Sequence, residues 1–192
     1  GRKSLQLFIP ANFLVIRRHV PRFIVTIRDL RDMCLSAYFH VRSDPFHPDH
    51  ERYLREPIES ALMHRIEVTG REYAPWVRDW LRVAREQPDT ILVIRYEDLH
   101  RDPYTAFRRA LEFFHLPFDD KLLLELARSK LSEERDLKSE LGGNTGLRMR
   151  STARRGMVGD WRSHFTGAHK ARFKELAGNT LIEAGYEQDN NW

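Results

Sequence analysis

The chain has 192 residues, with 32 Lys and Arg against 28 Asp and Glu, and a formal charge of +4 when its nine His are neutral. That length suits about one domain, so residues 1–192 are expected to form a single unit. Hydrophobic residues at 41%, charged residues at 31%, ten Gly and nine Pro exclude a disordered or fibrous chain. Cys34 is the only cysteine, which excludes a disulfide scaffold and fits a reducing compartment. No run approaches the ~20 apolar residues of a bilayer span. Arg2 and Lys3 ahead of a mostly apolar stretch imitate a signal peptide, but Gln6, Pro10 and Asn12 interrupt it.

In chain order, Phe13 to Ile16 fits either a strand or a buried helical turn, because periodicity does not separate the two at that length. Phe23 to Ile27 (FIVTI), β-branched and aromatic between Pro21 and Arg28-Asp29, predicts a buried strand. Asp29 then caps a predicted helix whose Met33, Cys34, Ala37, Tyr38 and Val41 form one apolar stripe. Helices are expected over 57–68 and 71–85, the second turning Tyr73, Trp76, Val77, Trp80, Leu81 and Ala84 toward a core. Ile91 to Ile94 (ILVI) predicts a second strand, followed by Arg95-Tyr96-Glu97-Asp98 and a helix opened by Asp102 and Pro103. Another helix is expected over 120–128. The chain then turns polar, is loose at Gly142-Gly143-Asn144-Thr145-Gly146, and becomes basic with Arg148, Arg150, Arg154 and Arg155. Thr166 caps a last predicted helix with Phe173, Leu176, Ala177, Leu181 and Ala184 at helical spacing. Strands alternating with helices predict an α/β fold, a parallel sheet flanked by helices. Two clear strands are few for such a sheet, and the sequence opens at Gly1 without Met, so an N-terminally incomplete chain is expected.

Open parallel sheets bind ligands beyond the carboxyl ends of their strands. Arg28 stands at such an end, where its planar guanidinium suits paired bonds to a phosphate, and Ser36, two helical turns on, offers a hydroxyl to the same anion. The plain alternative pairs Arg28 with Asp29 or Asp32 and turns Ser36 to solvent. Tyr96 occupies the matching strand end of the second unit. Glu97 and Asp98 suit capping, or pairing with Arg95 and Arg101, better than acid–base work, since nothing in their spacing separates their pKa values. Arg154-Arg155-Gly156 combines two cations with a backbone that can come close, which is an anion site in chemical terms. A basic loop can also be merely solvated or bind nucleic acid, but charges of both signs are interspersed, so a nucleic-acid face is not expected. His47-Pro48-Asp49-His50 carries metal-capable atoms in what reads as a surface turn, and no metal is expected. Trp76 and Trp80 at i, i+4 read as core packing rather than a base-stacking platform. Gly1-Arg2-Lys3-Ser4 ends like a phosphate-binding loop but lacks the strand and first Gly that shape one.

Three segments taken together, FIVTIRDLRDMCLSAYFH, ILVIRYEDLHRDP and RRGMVGDWRSHFT, resemble successive motifs of the cytosolic-type sulfotransferases that use 3′-phosphoadenosine 5′-phosphosulfate (PAPS). The third resembles the family's RKGxxGDW signature, with Arg155 where Lys is usual. The likeness runs from about Pro21 to Thr166 and implies a P-loop-NTPase-like sulfotransferase fold in the cytoplasm. It implies that Arg28 and Ser36 bind the 3′-phosphate of PAPS, that Tyr96 sits beside the nucleotide, and that Arg154, Arg155 and Gly156 close over the same phosphate. Ser129 to Leu131 loosely match the family's adenine-side segment, and Tyr38, Phe39 and the loop up to His50 fall near its acceptor pocket. The implied reaction moves a sulfuryl group to a hydroxyl or amine of a small molecule, without metal.

Two parts of the family pattern are not found: the N-terminal phosphate loop with its Lys, and the His of a Lys-Thr-His-Leu-Pro-like segment. Where that segment belongs, this chain reads Leu7-Phe8-Ile9-Pro10, so no catalytic residue is assigned, and His19 in a basic stretch is not a substitute. A relative that binds nucleotide without turnover is therefore the alternative. Arg162 and Thr166 match the start of the family's dimer motif, but Gly167 and Ala171 depart from it, so dimerisation by that route is not expected.

Overall fold

The computed structural model describes residues 9–129 and 157–192. Helix α1 (Ile9–His19) leads into strand β1 (Phe23–Ile27) and α2 (Leu30–Ser43); α3 (His50–Arg55) and α4 (Ile58–Val68) follow. A π turn over Thr69–Tyr73 joins α4 to α5 (Ala74–Glu86), after which come β2 (Ile91–Arg95), α6 (Tyr96–Arg101) and α7 (Pro103–Phe113). Residues 120–129 are helical (α8). A 3-10 turn over Asp160–Ser163 precedes α9 (Gly167–Glu183).

The two strands lie side by side and parallel, with Phe23 opposite Ile91 and Ile27 opposite Arg95. The predicted α/β arrangement is thus observed, and the register has a consequence for function. Both strands end at one level, so Arg28 and Tyr96 leave the sheet as neighbours. Tyr96 itself is the first residue of α6 rather than the last of a strand, because the helix starts as soon as β2 ends.

The ambiguous Phe13 run is helical. Phe13 packs edge-on to Trp80 of α5, 6.3 Å between ring centroids, and Phe23 meets the same indole at 5.7 Å. Trp76 also meets Trp80, so that pair does serve packing. The helices expected over 57–68 and 71–85 form one rod, because Gly70 does not break it. A Cβ at Gly70 would stand 2.5 Å from the Leu176 Cβ, so the missing side chain lets α9 lie against the π turn.

The apolar stripes face one another as predicted. Tyr38, Tyr53, Leu62, Ile66, Phe173 and Leu181 are fully buried in one core with Cys34, whose thiol burial pushes up to about 12. Asp102 and Thr166 cap α7 and α9 through Thr105 N–H and His169 N–H. Since Phe173 is completely enclosed, Phe173→Ala should cost about 3–5 kcal/mol, read as a lower urea midpoint with an unchanged slope.

Candidate functional site

The first turn of α2 concentrates charge that the sheet edge cannot expose to water. Asp29, the N-cap, accepts the Arg31 backbone N–H at 2.9 Å and receives a fork from Arg31 Nε (2.9 Å) and Nη2 (2.7 Å). Arg31 Nη1 donates to Glu187. The Arg31 guanidinium packs into the corner of two perpendicular indoles, 4.1 Å from the Trp161 ring and 4.4 Å from Trp192. Its charge is fully taken up inside the protein.

Asp32, 2% exposed, reaches the opposite way. Its Oδ2 accepts the Gly159 N–H at 2.6 Å and its Oδ1 the Trp161 N–H at 3.1 Å. Burial pushes the carboxyl above the ordinary aspartate value, and the two backbone donors pull it partly back. Gly159 is needed there: its φ of +82° is left-handed, and a Cβ would stand 2.6 Å from Arg162 Nη1.

Arg28 is the cation left over. Its Nη2 donates to the Met157 carbonyl at 3.1 Å, and its guanidinium lies over the Tyr96 ring at 4.5 Å. Its Nε is buried and has no hydrogen-bond partner among the described residues. Arg28, Asp32, Leu35, Ser36, Met157 and Asp160 line one open cleft at the strand edge. The alternative in which Arg28 bonds Asp29 or Asp32 is not observed. Glu97 closes the frame from the second strand: Oε1 accepts the Asp29 N–H at 2.9 Å and Oε2 the Tyr186 hydroxyl at 2.8 Å. It is buried and structural, while Asp98 pairs with Arg95.

The structure therefore brings together Arg28, Ser36 and Tyr96. Arg154, Arg155 and Gly156 lie outside the described residues, as do the 142–150 stretch, Leu7, Phe8, Lys130 and Leu131; Ser129 lies in α8. Met157, which directly follows Gly156, is at Arg28. Tyr38 is buried against Tyr53, and its hydroxyl accepts from Arg42. Phe39 meets Tyr38 and His164 edge-on. His19 is exposed at the end of α1. His47 and His50 serve their turn, His47 Nδ1 accepting the Asp49 N–H, and His50 Nδ1 sits 3.1 Å from the Val41 carbonyl. No group of metal-binding side chains forms among the described residues.

Chemically, a buried, unsatisfied guanidinium N–H beside a hydroxyl is a receptor for an oxyanion. Sequence patterns missed Arg31, Tyr186 and Trp192, and gave Asp32 and Glu97 partners other than the Gly159 and Trp161 N–H groups, the Asp29 N–H and the Tyr186 hydroxyl that they hold. The alternating acids and bases of Arg28-Asp29-Leu30-Arg31-Asp32 hinted at an ion cluster, but nothing local indicated that its partners lie at the far end of the chain.

Burial, then the Glu97 carboxylate, push the Tyr186 hydroxyl far above the ordinary tyrosine range. A raised folded-state value means that its contribution is whole below the unfolded value near pH ~10 and drains as pH rises beyond it. Ultraviolet titration of the six tyrosines should show phenols that ionise only with alkaline unfolding, and Tyr186→Phe should reduce the amplitude of that late step.

A sulfotransferase domain model matches residues 10–185. The chain is 27% identical to zebrafish (Danio rerio) Sulfotransferase 6B1 over 90% of its length and 55% of that protein. It is 28% identical to human (Homo sapiens) Sulfotransferase 1C2 over 81% of this chain and 53% of the relative. For Arabidopsis thaliana Cytosolic sulfotransferase 10 the values are 26%, 79% and 47%. The chain thus spans about half the length of these curated relatives. The fold is similar to that of mouse sulfotransferase SULT7A1, solved with PAP, with a TM-score of 0.60 at 19% identity, covering 90% of this chain and 62% of that one. With three motifs meeting at one strand edge and a domain match over nearly its whole length, this chain belongs to the sulfotransferase domain family.

Proposed function

We propose that this chain provides the nucleotide end of a sulfuryl-transfer site, holding PAPS while its sulfuryl group passes to a hydroxyl or amine of a small-molecule acceptor. The observation that carries this is Arg28 Nε, buried and without a hydrogen-bond partner among the described residues, at the cleft that Ser36 also lines. Arg28 and Ser36 hold the 3′-phosphate, and Tyr96, whose ring supports the Arg28 guanidinium, lies beside the nucleotide. Arg154 and Arg155 add charge to the dianion and Gly156 brings a backbone N–H; Arg155 in place of Lys keeps the charge and changes the donor geometry. When bound, PAPS supplies an activated sulfuryl group with phosphate as leaving group. Several relatives are named cytosolic sulfotransferases, which supports a cytoplasmic enzyme of this kind.

The fit has one electrostatic condition. Among the described residues the cleft pairs one guanidinium with two carboxylates, Asp32 and Asp160. Asp32 is occupied by two backbone donors, so its charge is partly offset, and the basic pair ahead of Met157 supplies the remaining cations. A second reading, binding without turnover, is favoured by one observation: Leu7-Phe8-Ile9-Pro10 keeps only the Pro of the family's His segment. Transfer of labelled sulfate from PAPS to a phenol by the protein separates the two.

Removing a charged hydrogen-bond partner is worth about 1.5–3 kcal/mol, or roughly ten- to 150-fold in affinity. Arg28→Ala and Arg155→Ala are each expected to weaken binding of adenosine 3′,5′-bisphosphate (PAP) by that factor in calorimetry. Unchanged affinity in a folded Arg28→Ala protein overturns the assignment.

A further inference from the structure

Beyond α9 the chain contacts residues that stand behind the cleft, on the helices after both strands and on the Asp160–Ser163 turn. Gly185 turns it with φ +74°, and its carbonyl accepts from Arg95 Nη1 at 2.8 Å at the end of β2. Tyr186 donates to Glu97, which holds the peptide after Arg28. Glu187 takes the Arg31 nitrogen that Asp29 leaves over. A Cβ on Gly178 would stand 2.4 Å from Asn190 Oδ1, so the segment lies hard against α9. Trp192 packs against the Arg31 guanidinium at 4.4 Å, meets Trp161 edge-on at 5.5 Å and has Lys174 Nζ 5.0 Å from its ring.

Apolar docking alone would not require this selection of partners. Arg31 and Glu97 sit at the two strand ends, and Trp161 follows the Gly159 turn whose N–H groups Asp32 holds. We propose that the segment from Gly185 to Trp192 is a positioning strap for the cleft. Glu187 and Trp192 act through Arg31 and Trp161 to keep the Gly159–Trp161 turn on Asp32, and thereby the Met157 carbonyl on Arg28. Neither residue touches the cleft itself. They are positioning residues, and their effect on ligand binding rests on the nucleotide assignment above, whereas their effect on the turn does not.

The test has two arms on the full chain, using Trp192→Ala and the milder, nearly isosteric Glu187→Gln. Amide exchange followed by nuclear magnetic resonance should show Gly159 and Trp161 exchanging at least about tenfold faster, with the β1 and β2 amides unchanged. Unchanged exchange at those two amides, or acceleration of all amides together, overturns the strap. In the second arm, the preference for PAP over adenosine 5′-monophosphate, which lacks the 3′-phosphate, should fall about tenfold in both variants. A loosened turn with an undiminished preference refutes the link from strap to cleft. A wild-type protein with no such preference sinks the nucleotide assignment instead, while the exchange arm still decides the strap.

Discussion

A carboxylate withdrawn from water must find donors or lose its charge, and Asp32 finds them 127 and 129 residues away in the N–H groups of Gly159 and Trp161. The cleft depends on that requirement. Its position in the first turn of α2 favours a negative charge, yet the helix N-terminus alone does not satisfy both oxygens. Drawing the Gly159 turn to α2 does, and the same movement sets the Met157 carbonyl on Arg28 and the Trp161 indole on Arg31. One buried acid thus joins the third sequence motif to the first.

The two arginines of that motif show how similar residues acquire opposite roles. Arg31 has Asp29 as a fork, Glu187 on its remaining nitrogen and the Trp161 and Trp192 rings against its guanidinium, which is enclosed by the protein. Breaking a buried pair of this kind by removing one partner typically costs about 3–5 kcal/mol, which makes Arg31 a structural element. Among the described residues Arg28 has one carbonyl, one aromatic ring and a buried N–H with no acceptor. A deficit of that sort is relieved by an oxyanion. From sequence alone either arginine fitted a phosphate; enclosure by partners separates them.

Local structure was legible because local causes produce it. The β-branched runs at Phe23 and Ile91, the caps Asp29, Asp102 and Thr166, and the stripe on α9 all arise from short-range sterics and hydrogen bonding, and they stand where periodicity puts them. The role of Gly70 was not legible for the converse reason: its missing side chain is the clearance for Leu176 of α9, more than one hundred residues away in sequence. The network of Arg31, Glu97, Tyr186 and Trp192 was illegible because each member's partner lies 89 or more residues away or in another element, and a Trp at the end of a sequence carries no periodic signal. Arg28, Ser36 and Tyr96 could be singled out because parallel strands with equal ends deliver their next residues to one place, a regularity of topology rather than of these side chains.

The charge inventory of the cleft sets how an anion can be held there. With Asp32 and Asp160 beside Arg28, the long-range field of the described residues is weakly attractive at best, so affinity cannot come from steering alone. It has to come from contact. At hydrogen-bond distance the guanidinium interaction is directional and strong, while Asp32 presents lone pairs already taken by backbone donors. On the proposed reading such a cleft discriminates by geometry: an anion that reaches both Arg28 Nε and the Ser36 side gains, and one that only approaches meets two carboxylates. Asp32 nevertheless holds the Gly159 and Trp161 N–H groups, and with them the turn that sets the Met157 carbonyl on Arg28. The acid that lowers the cleft's net charge is thus also what fixes one of its walls.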